Sequence, residues 1–447
     1  MSEVSIKTFT RGGIHPPEHK EPTAGSPIRE IPPAPEMILP LSQHAGAPCE
    51  PAVAAGDHVL AGQKIGDCAA FISAPVHASV SGTVEAIEDR RNFTGAMVRT
   101  IIITPDAEQQ SVPSVAPRDW RAMDVEEIKQ IVREAGIVGL GGAAFPASVK
   151  IAPPKDKPID TVIINGCECE PFLTCDQALM LKRPDDLIEA TRLLMRVVGA
   201  KQGRIGIEVN KPDAIEVLET RLRGDADVAV TRCMVKYPEG AEKQLIKAVV
   251  NREVPPGKLP SEVGALVQNV GTALAILDAV REGTPLTKRI VTVTGAVKNP
   301  GNLEVYIGTP VSFVIEQCGG FSAPPGKIIL GGPMTGWAIE DLNLPIQKGT
   351  SGVVVLTQQY VETHPILACV RCGKCVEVCP MGLMPNVISI YAERGNWDGA
   401  EKWNAMDCFE CGSCAYVCPS KRPIIAWVRD AKAAINQKRR QQREAKK

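Results

Sequence analysis

The chain has 447 residues, 44% hydrophobic and 23% charged, with a formal net charge of -1. That is a globular balance of about three domains, and it excludes any global pull toward nucleic acid or an anionic membrane. Aromatic residues are only 4% while glycine (39) and proline (37) abound, which favours modest domains joined by turn-rich connections over one large core.

No stretch reads as a membrane span. The best candidate, residues 264–280, is interrupted by Gln268, Asn269 and Asp278. The start of the chain, with Ser2, Glu3 and Lys7, has no apolar signal region, so an unexported, cytosolic setting is expected. There, fifteen cysteines point to metal ligation and not to disulfides.

Residues 1–38 hold His15-Pro16-Pro17 and Ile31-Pro32-Pro33-Ala34-Pro35 and read as an extended arm lying on a neighbouring domain. Residues 39–110 carry short β-type runs between glycine turns, as in Gly56–Gln63 and Ala74–Val84. This unit resembles the lipoyl-type barrel-sandwich hybrid. Val76-His77-Ala78 stands where such carriers turn around their modified lysine, so a structural role is expected.

Over 119–285 helical and strand patterns alternate, predicting an α/β domain. Residues 125–135 and 187–198 have helical periods, while 160–165 and 204–210 read as buried strands. Residues 288–345 begin with a strand over 291–295 and hold a helix over 311–318, stopped by Gly319-Gly320. They resemble a β-grasp soluble-ligand-binding module. A cysteine-rich unit spans 360–425, and a basic tail, compatible with a helix, spans 426–447.

The cysteine-rich unit carries the most specific signal. It contains Cys369-x2-Cys372-x2-Cys375-x3-Cys379-Pro380 and Cys408-x2-Cys411-x2-Cys414-x3-Cys418-Pro419. Soft thiolates at two-residue spacing aim three sulfurs at one iron–sulfur cube, and in two-cluster ferredoxins the fourth cysteine of each run serves the other cube. Cys369, Cys372, Cys375 and Cys418 are thus expected on one [4Fe–4S] cluster, and Cys408, Cys411, Cys414 and Cys379 on the other. Structural zinc also uses C-x2-C pairs, but not two successive four-cysteine runs each closed by Cys-Pro. Cys167, Cys169 and Cys175 lie close together without an evident fourth ligand.

The loop Gly139-Leu140-Gly141-Gly142-Ala143-Ala144-Phe145-Pro146 is poor enough in side chains to let a phosphate or ring approach its amides. Glycine clusters also mark plain turns, and the spacing is not that of a standard dinucleotide fold. Asn165, Glu168 and Glu170 follow a buried strand, where ligands of α/β sheets collect, though a solvated acidic turn reads the same way.

Taken in order, the loop 139–146, the segment 165–171, Tyr237-Pro238-Glu239-Gly240-Ala241-Glu242 and Gln268-Asn269-Val270-Gly271-Thr272 resemble the flavin-binding NADH subunit of respiratory complex I. With the other modules added, the whole chain resembles the C-subunit family of the Rnf ion-translocating ferredoxin:NAD oxidoreductases. The resemblance implies a multidomain α/β and α+β protein. Its parts would be a barrel-sandwich hybrid, a Rossmann-like FMN/NADH domain, a β-grasp module and a two-cluster ferredoxin-type domain. It implies that Gly139, Gly141, Gly142, Lys150, Asn165 and Asn269 hold FMN, with Thr272 nearby; Glu168 is a cofactor-binding candidate from its place just after the buried strand. Glu170 and Glu242 would face the nicotinamide nucleotide, Phe145 would flank its base, and Tyr237 and Gly240 would belong to the same wall. The sequence departs from the complex I pattern at Cys167, Gln268 and Ala241, where that pattern has an acidic residue, an asparagine and a glutamate.

The same resemblance implies NADH as substrate, attachment to other Rnf subunits on the cytoplasmic side of the bacterial inner membrane, and electron exchange with a ferredoxin-facing cluster subunit. Flavin would split electron pairs into the single electrons that clusters carry. No catalytic acid or base is required. The seven Lys/Arg among residues 431–447 could meet lipid headgroups, or form a solvated basic helix. Two rival readings use the same parts: a soluble cobalamin reductase of a microcompartment, and a non-catalytic electron relay.

Overall fold

A computed structural model describes residues 5–444 of the chain. Its centre is a four-stranded, all-parallel sheet ordered Val228–Cys233, Gln202–Glu208, Thr161–Asn165, Ala265–Asn269. The apolar runs of these strands suit a sheet covered on both faces. Side chains alternate across it. Val162 and Ile164 join the core built by the helices Pro184–Val198 and Val270–Glu282. Ile163 and Val267 pack instead with Leu245 and Ile246 of the helix Glu242–Val250. The helix after the last strand starts where Asn269 Oδ1 accepts from Thr272 N at 3.3 Å, and ends at Gly283 in a left-handed turn.

A second, six-stranded mixed sheet is ordered Ile28–Glu30, Gly301–Tyr306, Lys288–Gly295, Gly352–Thr357, Pro325–Leu330, Trp337–Ile339. It runs past residue 345, where the β-grasp unit was expected to end, because Gly352–Thr357 pairs in parallel with Lys288–Gly295. The arm supplies its edge. Ile28–Glu30 pairs with Asn302–Glu304 just before Pro32 and Pro33, which lack the amides an inner strand would need.

The N-terminal unit is built from two small sheets, one around Gly82–Arg91 and Met97–Pro105, the other of Glu50–Pro51, Lys64–Asp67 and Val76–His77. Val76 and His77 form a buried strand and not the exposed turn expected of a carrier, since both pair with Lys64–Asp67 under cover of the core.

In the cysteine-rich unit two short helices, Lys374–Glu377 and Ser413–Tyr416, follow Gly373 and Gly412, whose φ values of 79° and 82° only glycine adopts freely. The helix Ile424–Glu444 buries Ile424, Val428, Ala431 and Ile435 on this unit, one stripe at helical spacing. The region expected as a basic tail is therefore largely a wall of the cluster domain. Lys432 pairs with Glu410, Lys438 with Asp398 at 2.5 Å and Arg439 with Glu401 at 2.5 Å. Residues 445–447 of that expected tail lie outside the described residues. Among the described residues no helix is long and apolar enough to cross a membrane.

The arm ties the modules together. Gly13 N donates to Val378 O at 2.9 Å in the cluster domain, Ile14 pairs with Tyr237, and Phe172 N donates to Glu18 O at 2.7 Å.

Candidate flavin cleft and cluster pockets

A cleft of about 440 Å³ opens at the carboxyl ends of the parallel strands, where α/β sheets take their ligands. Of the residues singled out in the sequence, Gly141, Gly142, Asn165, Glu168, Glu170, Gly240 and Asn269 line it. Gly139, Phe145, Lys150, Tyr237, Glu242 and Thr272 stand behind that lining. Gly139 N donates to Phe145 O at 2.8 Å and closes the glycine loop. Thr272 Oγ1 accepts from Leu140 N at 2.8 Å. Lys150 Nζ donates to Val267 O at 2.7 Å and pairs with Glu242 at 2.5 Å. Tyr237 turns toward the cluster domain.

Two asparagines brace the strand ends. Asn165 Nδ2 donates to Gly240 O at 2.7 Å, and Asn269 Nδ2 donates to Asp176 Oδ2 at 2.7 Å. Glu168 accepts from the amides of Asp176 (2.7 Å) and Gln177 (3.3 Å) at the start of the helix Cys175–Lys182, a favourable place for negative charge. Glu170 accepts from Met334 N at 3.0 Å and Thr335 Oγ1 at 2.5 Å, which fastens the acidic loop to the β-grasp module. Burial pushes the Glu170 carboxyl up, and burial with the neighbouring Glu168 carboxylate pushes Asp176 up to about 7.

Buried cations hold this architecture from behind, and none was singled out in the sequence. Lys20 of the arm donates to the carbonyls of Glu168 (2.9 Å), Glu170 (2.9 Å) and Leu173 (2.5 Å). Lys211 donates to Cys167 O at 2.6 Å. Arg289 reaches Leu140 O at 3.3 Å from the β-grasp module and also bonds Lys348 O. Lys348 donates to Pro75 O and Gly136 O, both at 2.6 Å, and burial lowers it to about 7. Lys20, Arg289 and Lys348 satisfy carbonyls of other modules and Lys211 one of its own domain, so the modules meet through paired polar groups.

The three clustered cysteines separate. Cys175 faces Glu168 and Asp176, while Cys167 lies in the apolar cluster with Cys233. Cys169 Sγ accepts from Gly240 N at 3.3 Å.

The eight motif cysteines gather in two pockets. Cys379, Cys408, Cys411 and Cys414 line one; Cys369, Cys372, Cys375 and Cys418 line the other. The first set is more enclosed, with Cys379, Cys411 and Cys414 buried, whereas Cys372 is exposed. Burial pushes the Cys408 thiol up to about 12, and four thiols converging under cover are the donor set an iron–sulfur cube takes. Cleft and enclosed pocket share a wall. Tyr237 Oη donates to Cys411 O at 2.7 Å, and Cys169, a cleft residue, packs in the same cluster as Tyr237 and Cys411.

The cleft also fits a flavin phosphate and ring. A Cβ on Gly141 would lie 2.7 Å from Asn269 Nδ2, so the backbone there is bare by necessity, and nothing crowds Gly142. The helix Val270–Glu282 points its amino end at the same place, a site for anions. Gln43 and His44, both in the lining, each keep a buried nitrogen without a partner among the described residues. Glycine cradle, helix end, carboxylate loop and two four-cysteine pockets together define a flavin- and iron–sulfur-dependent electron-transfer protein.

Comparisons with known proteins agree. Residues 132–278 match the model of the Nuo51 FMN-binding domain, and 8–108 the RnfC barrel sandwich hybrid domain. Residues 290–338 match the SLBB domain, and 368–421 the 4Fe-4S dicluster domain. FMN and two [4Fe–4S] clusters are accordingly its cofactors. The C subunit of the Na(+)-translocating ferredoxin:NAD(+) oxidoreductase complex of Acetobacterium woodii is 49% identical, over 98% of this chain and 99% of its own. Its proton-translocating counterpart in Clostridium ljungdahlii is 46% identical, over 96% and 94%. The C subunit of the ion-translocating oxidoreductase complex of Rhodobacter capsulatus is 41% identical, over 97% and 84%. The chain belongs to this family of Rnf C subunits. A chain of an NAD+-reducing [NiFe]-hydrogenase in its H2-reduced state has a similar fold, with a TM-score of 0.51 at 19% identity, over 71% of this chain and 63% of that one.

Proposed function

We propose that this chain is the NAD(H)-reacting subunit of a membrane-bound complex that exchanges electrons between NAD(H) and ferredoxin, coupled to ion translocation by its partner subunits. The observation that carries the reading is the shared wall, where Cys169 and Tyr237 join the flavin cleft to the enclosed cysteine pocket. FMN, when bound, supplies the exchange between two-electron nicotinamide chemistry and one-electron cluster chemistry. The chain's own residues do the positioning. Gly141, Gly142 and the amide end of Val270–Glu282 hold the phosphate. Asn165 and Asn269 fix the strand ends beneath the ring, and the loop 168–170 sets the edge that faces the nucleotide. Cys379, Cys408, Cys411 and Cys414 hold the cluster beside the cleft. Cys369, Cys372, Cys375 and Cys418 hold the outer cluster, whose exposed Cys372 with Ile366, Leu367 and Val370 marks the side open to a partner.

In this reading the chain attaches to the cytoplasmic side of the membrane through other subunits, and it is consistent with this that Lys432, Lys438 and Arg439 of the basic helix pair with acids of their own domain. Deleting residues 436–447 is expected to leave retention on membranes carrying the complex unchanged; release of the chain would restore the lipid-contact reading. The function is tested by anaerobic purification with iron, sulfide and flavin quantified, followed by NADH titration. Equal iron and sulfide with FMN that NADH bleaches supports it, and zinc in place of iron with no flavin released contradicts it.

A further inference from the structure

Two aromatic side chains line the cleft, and neither belongs to the flavin domain or to the motifs read in the sequence. Phe93 sits at the tip of a hairpin of the N-terminal sandwich, and Trp337 on the edge strand of the β-grasp sheet. Their ring centroids are 5.8 Å apart at an interplanar angle of 51°. Both are held firmly. Asn92 Oδ1 accepts from Thr94 N at 2.9 Å and Ala96 N at 3.1 Å, which fixes the tip carrying Phe93. Arg429 lies 4.6 Å over the Trp337 ring, and is itself tied to Glu410 at 3.0 Å and Thr335 O at 3.3 Å. Trp337 still keeps 37% of its surface exposed. A large, braced aromatic open to a cleft gains by receiving another flat ring. Phe145, the aromatic implied by family resemblance, is absent from the lining.

We infer that Phe93 and Trp337 form the platform on which the adenine ring of NAD(H) stacks, so that the nucleotide is gripped jointly by the sandwich and β-grasp modules. This rests on the reading that NAD(H) enters the cleft. It gives both flanking modules a direct share in substrate recognition. The path runs along the protein: Glu170, at the edge facing the nucleotide, is bonded to Thr335, two residues before Trp337.

The test uses the holoprotein and compares NADH with reduced nicotinamide mononucleotide, which carries the same hydride and no adenine. The wild type is expected to prefer NADH. Trp337→Ala should raise KM for NADH roughly five- to hundred-fold, the range that loss of one base–aromatic stack gives, with kcat and flavin content kept. Its kinetics with the mononucleotide should not change. Trp337→Phe should restore most of the preference, and Phe93→Ala should give a smaller loss of the same kind. The inference is overturned if Trp337→Ala keeps the full advantage of NADH, or if it weakens both donors equally. A wild type whose flavin responds to neither donor would instead overturn the reading of the cleft, and this inference with it.

Discussion

Gly141 and Asn269 meet in a space that allows no side chain between them, and this sets the first expectation at the level of single residues. Gly141→Ala puts a methyl group 2.7 Å from Asn269 Nδ2, an overpacking of about 1–3 kcal/mol aimed at the flavin cradle. FMN content should fall at least several-fold while the visible absorption of the clusters is kept; unchanged flavin content would show that the loop is only a turn. Glu239 tests the electrostatics. It is fully buried, with Oε2 accepting from Thr8 Oγ1 at 2.8 Å and Oε1 without a partner among the described residues. Burial pushes its carboxyl from 4.5 up to about 8. Between those values the folded chain holds a proton that the unfolded chain has lost, so stability falls as pH rises through the window and levels off above 8. Glu239→Gln removes that proton exchange. The variant's Tm should therefore decline less steeply than the wild type's from pH 5 to 8.5, worth up to a few kcal/mol at the alkaline end. Equal slopes would contradict the assignment.

At the level of elements, the arm behaves as a strap whose buckle is Lys20. Lys20→Ala leaves three buried carbonyls without a donor, each costing about 1–3 kcal/mol. A drop in thermal stability and faster release of FMN are expected, with cluster content preserved; a variant with native flavin retention would mean the loop 168–173 holds itself. Lys20 also shows where sequence reading ended. The cluster cysteines, the glycine loop and the strands 161–165 and 202–208 were legible because their chemistry repeats at short, local spacing. The arm's path was partly legible, since its prolines exclude a helix, but its pairing with Asn302–Glu304 depends on a sheet edge hundreds of residues away. Lys20, Lys211, Arg289 and Lys348 look like ordinary surface charges in sequence. They become structural only when distant segments present carbonyls to them. Phe93 and Trp337 escape a sequence reading for the same reason, whereas Phe145 was implied beside the nucleotide's base by the family resemblance alone and stands behind the lining.

For the molecule as a whole, three modules converge on one cleft and a fourth sits directly behind its wall. The enclosed cluster pocket adjoins the flavin site and the exposed one opens outward, so the chain reads as a wire with one nucleotide end and one partner end. Its composition carries almost no net charge to attract that partner, which leaves recognition to the local surface around the outer cluster. The wire is tested most directly by running it from the clusters. Holoprotein reduced anaerobically with titanium(III) citrate, freed of excess reductant and mixed with NAD+, should form NADH as the reduced-cluster EPR signal decays, and flavin-depleted protein should do neither. Clusters that stay reduced in flavin-replete protein while NAD+ is present would contradict the account.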